Sequence, residues 1–129
     1  MSTPQLPPPK GSSASFLWLY FGFAGRINRE VYWLGIGLLW SVLFVLVGMM
    51  IDPYSDEGMP GGVILLAIPS LWCEMALLVK RQHDRGLPWY WCLLAFIPLA
   101  GAVWMVLAGL VAGNPGPNAY GERANEIPE

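Results

Sequence analysis

Charge is what this chain has least of. Asp, Glu, Lys and Arg together make up 12% of its 129 residues, about half the share usual in a soluble domain. Only seven residues are Lys or Arg, and they form no extended basic face, which argues against a nucleic-acid partner. Histidine occurs once. The two cysteines, Cys73 and Cys92, lie inside apolar runs and read as small apolar fillers rather than as a disulfide or a metal pair. No catalytic residue, cofactor-binding motif or metal-ligand spacing is legible, and the length allows one domain at most.

What is present is apolar. Val31 to Ile51 is 21 residues without a charge, and Pro88 to Gly113 is another 26. About 20 such residues, at 1.5 Å each, span a hydrocarbon core roughly 30 Å thick. Seven tryptophans, several beside the ends of these runs, suit rings that settle at the headgroup level. The chain therefore reads as an all-α polytopic membrane protein.

Taken in order, residues 1–15 are rich in Pro and Ser and read as a disordered tail. Phe16 to Phe23 (FLWLYFGF) is too short to cross and reads as an aromatic segment lying in the interface. Asn28 is a natural N-cap with Glu30 in the first turn, so the first span is expected over about 29–51. The acidic, Gly- and Pro-rich stretch Asp52–Gly62 is a loop. A second span follows over about 62–79, with Pro69 near its middle. Pro88 opens the third, expected over 88–112 and read as one helix kinked at Pro98, with a re-entrant hairpin the alternative. The membrane domain is thus residues 16–113, and 114–129 is a turn-rich acidic tail. Gly37, Ser41 and Gly48 on the first span, and Ala102, Gly109 and Gly113 on the third, offer small-residue faces for helix contacts, within one chain or with another membrane protein.

Lys and Arg set the threading. Lys10, Arg26 and Arg29 flank the first span, and Lys80, Arg81 and Arg85 follow the second. The first loop has none, and the carboxyl tail has only Arg123. Three spans with the amino terminus cytoplasmic place six of seven positives inside and the carboxyl terminus outside.

Three separated stretches carry a resemblance. FGFAGRINREVYW, then KRQHDRGLPWYWCLLAFIPLAG, then GNPGPNAYG resemble the small bacterial inner-membrane proteins of domain-of-unknown-function family 805 (DUF805). The likeness covers about Phe21 to Gly121. Gln82 stands where that family usually has Leu, and Leu87-Pro88 where it has a Ser-Gly pair. The resemblance implies a bacterial inner-membrane location and brings no established activity.

The candidate cluster is Arg26, Arg29, Glu74, Lys80, Arg81, His83, Asp84 and Arg85. His83 beside Asp84 suggests acid–base work or a metal, but one His with one adjacent Asp is thin support for either. Neighbours on a helix point about 100° apart, so a metal would need distant ligands, and a structural role is the stronger reading. Glu74, the only charge well inside a span, is costly there unless paired. It precedes Arg81 by two turns, so pairing with Arg29, Arg81 or Arg85 is expected. The lipid bilayer is the first partner, and a homo-oligomer or another membrane protein the next. A non-enzymatic structural or interaction protein fits these features best. A transporter or channel subunit, and an enzyme acting on lipid headgroups, are the alternatives.

Overall fold

The structure, a computed structural model, describes residues 15–54 and 56–128; the proposed amino-terminal tail lies almost wholly outside them. The described residues are helical, with one isolated bridge between Asn118 and Gly121. Helix α1, Phe16–Phe21, starts at Ser15, whose hydroxyl accepts the Trp18 N–H. Phe16 and Leu17 are 72% and 74% exposed while Trp18 is buried. This is an aromatic segment that packs on the bundle through Trp18, Leu19 and Tyr20, whose hydroxyl donates to the Gly35 carbonyl, and presents its other side outward.

Helix α2, Arg29–Met50, begins where the cap signal places it, with Asn28 Oδ1 accepting the Val31 N–H at 2.9 Å. Helix α3, Gly61–Asp84, runs a turn further than expected and carries Lys80 to Asp84 on its last turn, buried. It closes at Gly86, whose φ of 75° and N–H bond to the His83 carbonyl end the helix as a left-handed glycine does. Helices α2 and α3 are long and apolar enough to cross a membrane.

The third apolar run is not one kinked helix. It forms a 3-10 segment, Trp89–Phe96, a break over residues 97–99, and helix α4, Ala100–Leu110. Pro98 lacks the N–H a continuing helix needs. Leu99 then takes a φ of 64°, which reverses the chain. Trp91 and Trp104 stack with centroids 5.6 Å apart; thirteen residues along a straight helix would separate them by about 20 Å. The two halves therefore lie side by side as a hairpin. Gly101 allows the approach, since a Cβ there would collide with the Ala95 backbone.

The return of the hairpin sets the carboxyl segment beside the ends of α2 and α3. Asn114 N–H bonds to the Asp84 carbonyl at 2.7 Å, and Asn125 N–H to the Arg26 carbonyl at 2.8 Å. Residues 111–128 thus sit at the end where α2 starts and α3 stops. The expected third span is not one continuous helix, and among the described residues α2 and α3 are the helices long and apolar enough to cross.

The small-residue faces are also used differently. Gly35, not Gly37, meets α3, against Leu77, and nothing within 4 Å stands over Gly37 or Gly48. Gly109 lies under Trp33, whose indole N–H bonds to the Gly109 carbonyl at 3.1 Å. Gly101→Ala should cost roughly 1–3 kcal/mol by overpacking against backbone that cannot yield. Gly48→Ala, in open space on a helix, should be neutral or stabilising by up to about 1 kcal/mol. Melting of both variants in mild detergent measures the contrast.

Candidate functional site

The end of the bundle where all the segments meet is a charged centre shut away from solvent. Asp84 is its only carboxylate. Oδ1 accepts from Arg26 Nε at 3.1 Å and Nη2 at 2.9 Å, and Oδ2 from Arg81 Nη1 at 2.5 Å. Arg26 is 2% exposed and Arg81 not at all. Arg26 spends its remaining donors on the carbonyls of Asn114, Gly116 and Gly121, at 2.8, 2.8 and 3.1 Å. A guanidinium has five N–H groups, and all five of Arg26 are placed. Arg81 donates in addition to the carbonyls of Ala108, Ile27 and Val111. Two cations around one anion leave an excess positive charge, which these carbonyl dipoles offset.

Lys80 has no carboxylate. Its ammonium donates to the carbonyls of Trp18, Leu19 and Gly22, at the end of α1, and lies 5.2 Å from the centroid of the Trp18 ring. A helix end leaves carbonyls without partners, and a cation there satisfies them and suits the dipole. His83 holds the other side. Its Nδ1 faces the Gly25 carbonyl at 3.1 Å and so carries the ring proton. Its ring stacks on Tyr120 with centroids 4.0 Å apart, and its own carbonyl accepts from Asn118 Nδ2. No hydrogen bond joins His83 to Asp84, so the pair is a neighbour relation in sequence and not a dyad in space.

Of the eight candidate residues, Arg26, Arg81 and Asp84 form one ion network, with Lys80 and His83 bonded to backbone beside it. Arg85 stands at its rim, bonded to Gln82 Oε1. Arg29 is exposed and outside it. Glu74 is the correction. It lies ten residues, about 15 Å, before Asp84 along α3, and lines a cavity of about 50 Å³ with Ala95 and Phe96 at the hairpin tip. Among the described residues no arginine pairs with it, because Arg81 has Asp84 three residues on. Apart from that of Ile27, the carbonyls that complete the ion network come from 108–121, and only the turn-rich character of GNPGPNAYG marks that stretch in the sequence.

A helical membrane protein with a sealed ionic centre at one end of its bundle is the class this geometry defines. The chain belongs to the family described as protein of unknown function DUF805, whose model matches residues 20–122. It is 36% identical to the uncharacterized protein YiiR of Escherichia coli strain K12 over 99 residues, 77% of this chain and 62% of YiiR. It thus spans under two thirds of that relative. Two inner membrane proteins of the same strain match more fully. YhaI is 28% identical over 83% of this chain and 89% of its own length, and YhaH is 32% identical over 79% and 86%. No solved structure matches.

Asp84→Asn should destabilise by about 3–5 kcal/mol, because it strands two buried guanidiniums without a counter-charge. Glu74→Gln, which breaks no ion pair, should cost under about 1.5 kcal/mol. Folded yield in membranes and detergent melting compare them. Equal losses would mean that Asp84 is no more central than Glu74.

Proposed function

We propose that this is a non-enzymatic integral protein of the bacterial inner membrane, a structural or interaction protein whose charged cluster is an internal clamp on the cytoplasmic side. One observation carries the reading: every donor of Arg26 is used within the chain, and the Asp84 carboxylate is held by two arginines. A substrate would have to displace these bonds to be recognised. An enzyme built on His83 and Asp84 has no free carboxylate to work with. The inner-membrane names of YhaI and YhaH agree with the location.

In this reading α2 and α3 cross the bilayer and residues 89–110 enter and return as a re-entrant hairpin. Eight residues of 3-10 helix and eleven of α-helix are each about 16 Å long, half the hydrocarbon thickness. Arg26, Arg29, Lys80, Arg81, Arg85 and Arg123 then share one face, and the loop 51–60, with acids and no Lys or Arg, takes the other. The positive-inside bias makes the first face cytoplasmic, with both described ends of the chain on it.

Glu74 favours a second reading, a subunit of a small transporter or channel. A carboxylate level with a broken hairpin near mid-membrane is the kind of group that handles protons or ions. Proton uptake into vesicles that is lost in Glu74→Gln at unchanged abundance would move the assignment there.

The threading has a direct check. Alkaline phosphatase fused after Glu129 should be inactive, and a green fluorescent protein at the same place should fluoresce. An active phosphatase would place that end outside and refute the re-entrant arrangement.

A further inference from the structure

Beside the saturated centre is a group of side chains with the opposite deficiency. Gln82 is fully buried, and its Oε1 accepts from Arg85 Nη1 at 3.2 Å, but its Nε2 meets no acceptor. Exchanging the amide oxygen and nitrogen is no remedy. It would face NH₂ against a guanidinium and leave a buried carbonyl alone instead. Trp104, on α4, has the same deficit: its indole Nε1 is buried and unpartnered. The Arg85 guanidinium lies over the Trp104 ring, 5.4 Å from its centroid, so one flexible cation bridges the two side chains. Arg85 is half-buried, and among the described residues no ion pair includes it. Native interiors rarely leave buried donors without acceptors. Here two such donors adjoin an arginine that lacks an anion.

The place is as informative as the chemistry. Arg85 directly follows α3, and Trp89, Tyr90 and Trp91, which begin four residues further on, are exposed aromatics. Rings of this kind mark the headgroup level of a bilayer, where the abundant acceptors are phosphate oxygens. We propose that Arg85, Gln82 and Trp104 form a binding site for the phosphate of an anionic phospholipid. Arg85 pairs with the phosphate as its side chain turns outward. That movement uncovers Gln82 Nε2 and Trp104 Nε1, which donate to the phosphate oxygens. A zwitterionic lipid is a poorer occupant, since its ammonium group would meet the charge of Arg85. The site shares no donor with the Asp84 centre and does not depend on the role proposed for that centre.

The test uses the full chain reconstituted in vesicles of phosphatidylglycerol and phosphatidylcholine in equal parts. The protein is then extracted in mild detergent, and retained lipid is read by native mass spectrometry. Phosphatidylglycerol should be retained over phosphatidylcholine. Arg85→Gln and Trp104→Phe should each lower that retention roughly tenfold, the worth of one charge-assisted or one buried hydrogen bond. Trp104→Phe keeps a ring for Trp91 and Arg85 to stack on, so its melting should match the parent and separate lost binding from lost fold. Arg29→Gln removes an exposed arginine at the same end and should change nothing. The proposal is overturned by equal retention in both site variants, by the same loss in Arg29→Gln, or by no preference between the lipids. Displacement of the lipid by millimolar inorganic phosphate would also overturn it, by assigning the site to free phosphate.

Discussion

The structure depends on one carboxylate, that of Asp84, standing between two arginines where water is excluded. Such a group contributes little net stability, because desolvating three charges offsets most of their attraction. Its effect is on choice of arrangement. Arg26 comes before α2, Arg81 and Asp84 end α3, and the carbonyls they reach belong to α4 and the carboxyl segment. Any packing that separates one of these strands a bare charge in a low dielectric. The cost of the alternatives holds the bundle to one topology.

The same cations solve a second problem. Short helices end inside the molecule, and a helix end leaves carbonyls that lipid cannot satisfy. Lys80 takes those at the end of α1, and Arg81 takes Ala108 and Val111 at the end of α4. This is why a six-residue helix and a short hairpin persist beside two long apolar helices. Each borrows its terminal hydrogen bonds from the long helix α3. Where no cation reaches, at the hairpin tip, Leu99 and Gly101 let the chain fold back on itself, and Ala95 and Phe96 line a cavity with Glu74.

How much of this the residues disclose divides along local and non-local lines. The start of α2 was legible because Asn28 sits beside the Val31 N–H it caps and Glu30 stands in the first turn. The membrane class followed from run lengths alone. Length failed on the third run, because 26 apolar residues satisfy the criterion for crossing whether or not the chain turns back. Pro98 and Gly101 marked a break, yet nothing in a Leu discloses that Leu99 will adopt a left-handed φ. The spacing of Glu74 and Arg81 correctly put them on one helical face but was blind to the competing Asp84. The centre itself was half legible. Its cations and its anion stood out in a charge-poor chain, whereas the backbone carbonyls that complete it have no side-chain signature.

The three stretches that carry the family likeness, around Arg26, around Arg81–Asp84 and from Gly113 to Gly121, are the three that meet in the ionic centre. A Cβ at Gly113 would collide with the Asp84 carboxylate, and Gly121 supplies a carbonyl to Arg26. The family pattern is therefore intelligible as the set of residues needed to close one end of the bundle. That separates construction from activity. Groups whose hydrogen bonds are all spent within the chain hold the architecture and have nothing left with which to recognise a ligand. In the proposals made above, recognition falls to groups with capacity to spare: the unpartnered donors beside Arg85, and Glu74 at the hairpin tip. The stretches that identify such a protein thus hold its frame, Arg26, Arg81, Asp84 and the loop from Gly113 to Gly121, and the second of them carries Gln82 and Arg85 as well.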